Sequence, residues 1–105
     1  MLLARGLRTT DGCRHEMAGV LDLEVEMQAQ LAAIGHYACT LSEGDLRGHS
    51  FHHSRASGPA PTSTLASSPH GGPLEPVYRL GRLVASYVHW YLPSNPEAAA
   101  RLFTA

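Results

Sequence analysis

From Met17 to Leu41 the apolar positions obey two rhythms at once. Met27, Leu31 and Ile34 recur at helical spacing and stop at Gly35, whereas Val25, Met27, Ala29 and Leu31 alternate as a strand would. Periodicity alone leaves both elements open there. Before this stretch, Leu2, Leu3 and Leu7 with Ala4 and Arg5 predict the end of a helix, stopped by Gly6 and followed by a turn at Asp11-Gly12. After it, the run from about Ala56 to Pro76 carries Pro59, Pro61, Pro69, Pro73 and Pro76 among glycines, serines and threonines, which predicts a loop or linker without regular structure. Val77-Tyr78-Arg79-Leu80 and Leu83 to His89, β-prone runs on either side of Gly81-Arg82, predict a hairpin. Pro93-Ser94-Asn95-Pro96 ends the second strand. Asn95 is a good N-cap and Pro96 a good first residue for a short terminal helix over Glu97 to Phe103.

Composition narrows the function classes. The chain has 105 residues, 44% hydrophobic and 16% charged, which suits one small globular α/β piece with a modest core. Its formal net charge is −1, and all eight basic residues are scattered arginines, so there is no electrostatic footprint for nucleic acid or anionic lipid. No apolar stretch approaches the roughly 20 residues that cross a bilayer. The apolar start lacks the basic region and cleavage site of a secretion signal, so the expected location is the cytoplasm. Two cysteines, Cys13 and Cys39, are then expected as free thiols with packing roles. Neither internal repeats nor heptads are present.

Three stretches, taken in order, resemble the C-terminal part of the cobyrinate (or hydrogenobyrinate) a,c-diamide synthases. Leu7 to Gly12 followed by Met17-Ala18-Gly19-Val20-Leu21 resembles the family's acidic-Gly turn and its Met-Ala-Gly-Leu-Leu segment. Leu46-Arg47-Gly48-His49-Ser50-Phe51-His52-His53-Ser54 is similar to the signature Arg-Gly-His-Glu-Phe-His-Tyr-Ser, with Ser50 in place of the glutamate and His53 in place of the tyrosine. Val77-Tyr78-Arg79, Gly81-Arg82, Ala85 to Tyr91 and Ser94-Asn95-Pro96 resemble the last strand of the family and its catalytic histidine. The resemblance implies a partial class I glutamine amidotransferase-like (flavodoxin-like) α/β domain over residues 1–105, mostly strands with a short C-terminal helix. The Pro/Gly/Ser-rich loop at about 56–76 is the part without counterpart.

The same resemblance implies the chemistry. A cysteine attacks the amide carbon of glutamine while a histidine accepts and returns the proton. His89 is the expected general base, since imidazole at a strand end is held rigidly and titrates near operating pH; the alternative reading is a core histidine. Arg47, His49 and His52 are expected on a substrate-side loop, with Gly48 permitting a tight turn. The family nucleophile lies in a Glu-Cys-Gly-Gly turn, which the resemblance places just before Met1, with Met1 to Leu7 as the helix that follows. Cys13 and Cys39 lack the glycine neighbours of such an elbow. The chain alone is therefore expected to be inactive.

The parent enzyme would bind glutamine and a cobyrinate-type corrinoid and use ATP and Mg²⁺. The chain has no Gly-x-x-x-x-Gly-Lys stretch, so no cofactor is expected on it. A homodimer or a separate synthetase chain are the expected protein partners. Two other classes compete: an amidotransferase-like interaction module that has lost catalysis, and a metal-binding protein. For the latter, His49, His52 and His53 with Cys13 and Cys39 match neither a Cys-x-x-Cys pair nor a His-Glu-x-x-His helix.

Overall fold

In the computed structural model, which describes residues Met1 to Thr104, strands dominate and the ambiguous middle of the chain resolves as extended. In chain order the strands are β1 (Gly6–Arg8), β2 (Arg14–Glu16), β3 (Glu24–Met27), β4 (Ala33–Leu41), β5 (Gly44–His52), β6 (Ser54–Ser57), β7 (Thr62–Ala66), β8 (Glu75–Leu80), β9 (Leu83–Ser86) and β10 (His89–Tyr91). A 3-10 turn, Leu92–Ser94, leads into the helix α1 (Pro96–Leu102). The mostly-strand chain with a short C-terminal helix is thus the architecture expected from the sequence.

Two compact units can be distinguished, Met1–Ala32 with His52–Ala60, and Ala33–Phe51 with the chain from Pro61 on. In the first, the sheet order is β2-β1-β3-β6, with β1 parallel to β3 and antiparallel to β2. The predicted helix end at Met1 to Leu7 is not formed. Its backbone is used for pairing instead: the amides of Ala18, Gly19 and Leu21 donate to the carbonyls of Leu2, Ala4 and Leu3, and Arg5 donates to Leu23. Leucine and alanine tolerate a helix but do not enforce one, and pairing on both sides of β1 overrides that preference.

The second unit holds two three-stranded sheets, ordered β10-β5-β4 and β7-β8-β9, joined by a bridge in which Ala38 and Ser67 exchange both amide-to-carbonyl bonds at 2.9 Å. Along β4, Ala33, Tyr37, Cys39 and Leu41 are buried while Ile34, His36, Ala38 and Thr40 are exposed. Leu46 and Ser50 of β5 are buried between exposed Asp45, Arg47, His49 and Phe51. This period of two gives the sheet one packed and one open face. The packed face forms a core of Tyr37, Cys39, Leu41, Leu46, Ala66, Val77 and Val88, closed by Ala98 of α1.

Two predictions about the second half are borne out. Leu80 pairs with Leu83 across Gly81-Arg82, where Gly81 has φ +58° and no other residue of the turn is left-handed, the pattern of a type II′ hairpin. The side chain of Asn95 accepts a hydrogen bond from the amide of Ala98 at 3.2 Å, and Pro96 opens the helix. Two others are corrected. The Pro-rich stretch 56–76 is not a structureless loop, because Thr62 to Ala66 contains no proline and pairs with β8 as strand β7. Pro76 also lies within a strand. It sits beyond the last residue of β9, so its missing amide costs no ladder bond on that side, and its carbonyl accepts from Ser86 Oγ at 3.1 Å. The second arm of the hairpin ends at Ser86 instead of running to His89, which opens a separate strand in the other sheet.

Candidate active site

Arg47, Gly48 and His49 lie in the middle of β5, so the predicted substrate-side loop with a tight turn at Gly48 is replaced by a regular strand. β10 runs antiparallel beside it, with His89 opposite His49, Trp90 opposite Gly48 and Tyr91 opposite Arg47. Residues directly opposite in an antiparallel pair share a face of the sheet. His89 and His49 therefore stand side by side on the open face, both exposed, and the core-histidine reading of His89 does not hold. His89 begins a strand where the sequence predicted that it would end one.

A third imidazole completes the row. His36 of β4 meets His49 edge to face, with ring centroids 6.1 Å apart and planes at 89°. It was missed by sequence reasoning, since a lone histidine in an alternating strand carries no spacing signal. Once β4 lies beside β5, the sheet brings three imidazoles from three strands onto one surface. Next to them, Arg47 and Asp45 line a groove with Thr40, Thr64, Ser67 and Ser94. Ser94 also anchors this corner: its Oγ accepts a hydrogen bond from the Arg47 amide at 3.1 Å. The Ser94-Asn95-Pro96 motif thus ties β5 to the turn after β10 and then starts the helix.

His52 belongs to the other compact unit. Its Nδ1 lies 2.7 Å from the Ser54 carbonyl, so that nitrogen donates. The backbone carbonyls of His52 and His53 accept from Ala32 and Gln28, which gives this segment a structural task.

The two thiols differ. Cys39 is buried on the packed face of β4, opposite to the side on which His36 lies, and burial, followed by the nearby Asp45 charge, pushes its thiol up to about 11. A thiol held protonated is a poor nucleophile. Cys13 is exposed, between the Asp11-Gly12 turn and β2, which corrects its expected packing role. Neither lies on a strand-to-helix elbow. Among the described residues no group of three or more His, Cys, Asp or Glu stands so as to hold a metal ion.

The open face of the β10-β5-β4 sheet thus presents a strand-borne imidazole pair next to an arginine. The chain belongs to the CobB/CobQ-like glutamine amidotransferase domain family, whose model matches residues 1–97. It is 45% identical over 97 residues to a hydrogenobyrinate a,c-diamide synthase of Pseudomonas aeruginosa, covering 91% of this chain and 22% of that protein. It is 45% identical over 103 residues to the hydrogenobyrinate a,c-diamide synthase of Stutzerimonas stutzeri, covering 97% and 24%. A cobyrinate a,c-diamide synthase of Herminiimonas arsenicoxydans is 38% identical over 105 residues, covering 99% and 24%. The chain therefore spans about a quarter of the length of these relatives.

Proposed function

We propose that this chain supplies the histidine side of a glutamine-hydrolysing site in an ATP-dependent amide ligase, which converts the a and c carboxylates of a cobyrinate-type corrinoid to amides in cobalamin biosynthesis. The observation that carries this reading is the placement of His89 opposite His49 on the open face of the β10-β5-β4 sheet, where a reacting group can reach it. His89 accepts the proton of an incoming thiol as the sulfur attacks the amide carbon of glutamine, then returns it to the departing nitrogen as the C–N bond breaks. Ammonia leaves, and water hydrolyses the thioester to glutamate. Arg47 and His49 flank the base on the substrate side. The thiol is contributed by a Glu-Cys-Gly-Gly segment on the portion of the enzyme that relatives carry in addition to this quarter.

ATP and Mg²⁺ serve the carboxylate-activating half of such an enzyme. The residues here do not fit a nucleotide phosphate. The only helix among the described residues is seven residues long, and its first turn is already capped by Asn95. The reaction belongs in the cytoplasm, where the thiol stays reduced, and the working assembly is a homodimer or a complex with a synthetase chain.

The test is a chimaera in which this chain replaces the matching quarter of the Pseudomonas aeruginosa relative. Ammonia release from glutamine should appear in the chimaera, be absent from the isolated chain, and fall by about 10²-fold or more in the His89→Ala chimaera. Full glutaminase activity of the His89→Ala chimaera would refute the role of His89. A folded but inactive chimaera, together with binding of the isolated chain to the rest of the relative expressed as a separate chain, would favour the interaction-module reading.

A further inference from the structure

Of the ten glycines in the chain, eight have a left-handed φ and are explained by backbone conformation alone. Gly6 and Gly48 are the exceptions. A Cβ on Gly6 would meet the end of the Arg14 side chain, which can swing away. A Cβ on Gly48 would lie 2.3 Å from the carbonyl oxygen of His89, 2.9 Å from its carbonyl carbon and 2.8 Å from Val88 Cγ1. Two of these three atoms are backbone and have no rotamer to escape into. The missing side chain of Gly48 is thus used by the residue that carries the proposed base.

We infer that Gly48 is a positioning residue: by letting the His89 backbone press onto β5, it fixes the register that sets His89 beside His49 on the open face. This rests on the proposed role of His89 and deepens it, because it gives the glycine of the Arg47-Gly48-His49 motif a task distinct from its neighbours. Any side chain at position 48 lifts the start of β10 off β5. The β4-β5 pairing and the β7-β8-β9 sheet do not depend on that approach, so displacement stays local to Val88 to Tyr91.

The experiment compares Gly48→Ala with the native chain by NMR. The expected result is loss of the cross-strand contacts between His89 and His49 and between Trp90 and residue 48, with the β7-β8-β9 contacts retained. In the active chimaera, Gly48→Ala should lower kcat by about 10²-fold with little change in the KM for glutamine, as expected for a misplaced base. Gly81→Ala is the second variant, since a Cβ there meets nothing but strains a left-handed turn. It should lower stability and leave the His49–His89 contact intact. The inference is overturned if Gly48→Ala keeps that contact, if it unfolds the whole chain, or if Gly81→Ala abolishes the contact as well. Retained activity in the His89→Ala chimaera would sink the function reading while leaving the NMR result standing, so the two failures are distinguishable.

Discussion

Ser50 stands where the family signature has a glutamate, and the strand alternation decides what that exchange means. Position 50 points into the core with no exposed surface, whereas His49 points out, so a side chain at 50 faces away from the imidazole row. The Ser50 hydroxyl is buried with no hydrogen-bond partner among the described residues. Leaving such a group unpaired costs about 1–3 kcal/mol. Ser50→Ala should therefore keep or raise stability, by up to about 1 kcal/mol, and Ser50→Glu should lower it by burying a charge; urea unfolding of both variants checks this. The thiols offer a second residue-level prediction. Cys13 should react rapidly with a chromogenic disulfide at pH 8 and Cys39 only on unfolding. Because folding raises the Cys39 thiol from 9.0 to about 11, the folded chain holds that proton longer. Its contribution is complete below pH 9 and is lost as pH rises toward 11, and a Cys39→Ala chain should show a shallower alkaline decline. Arg47, His49 and His89 stood out in the sequence because a motif marks them, but their shared face did not, because it depends on the pairing of β10 with β5. His36 did not stand out, because its contact with His49 exists only once strand pairing sets the two side by side.

The elements that the sequence revealed are those whose turn or start is marked by a residue suited to one geometry. Gly81-Arg82 marks the β8-β9 turn, and Asn95-Pro96 marks the start of α1, each with a residue whose backbone or side chain suits one geometry. Where punctuation misled, the cause was local. Proline at 59, 61, 69 and 73 correctly excludes strand at those positions, yet the proline-free Thr62 to Ala66 between them still pairs. At the N-terminus, helix-compatible residues without a cap were captured by neighbouring backbone. The helix offers the prediction at this scale. Asn95→Ala removes the acceptor for the Ala98 amide and should cost about 1 kcal/mol, with Asn95→Asp close to native, as read from thermal unfolding. Ala98 is part of the core, so fraying of α1 should also loosen the packing over Leu46 and Val88, and the loss should exceed that of a cap on an isolated helix.

At the scale of the molecule, three carboxyls among the described residues sit below their usual range in the folded state, each with an identifiable cause. The Thr9 hydroxyl holds Asp11 down, Arg14 holds Glu24 down, and Arg79 holds Glu43 down. The Asp11 and Glu24 interactions are on the surface and add little. Glu43 differs: its side chain is 15% exposed, that of Arg79 is 29% exposed, and the two meet at 2.6 Å. The same residue receives a hydrogen bond from Arg101 on its carbonyl, so the β4-β5 turn, β8 and α1 converge there. A carboxyl lowered by folding stabilises the chain above the unfolded value of 4.5, and that stability is lost as pH falls through the folded value. The urea midpoint should accordingly hold steady from pH 7 to about 5 and fall below about 4.5. Glu43→Gln should start lower at pH 7, by about 1 kcal/mol, and converge with the native chain as pH falls through the folded value of the native carboxyl. A gap between the two that stays as wide throughout the acid range as at pH 7 would assign the loss to packing instead of charge.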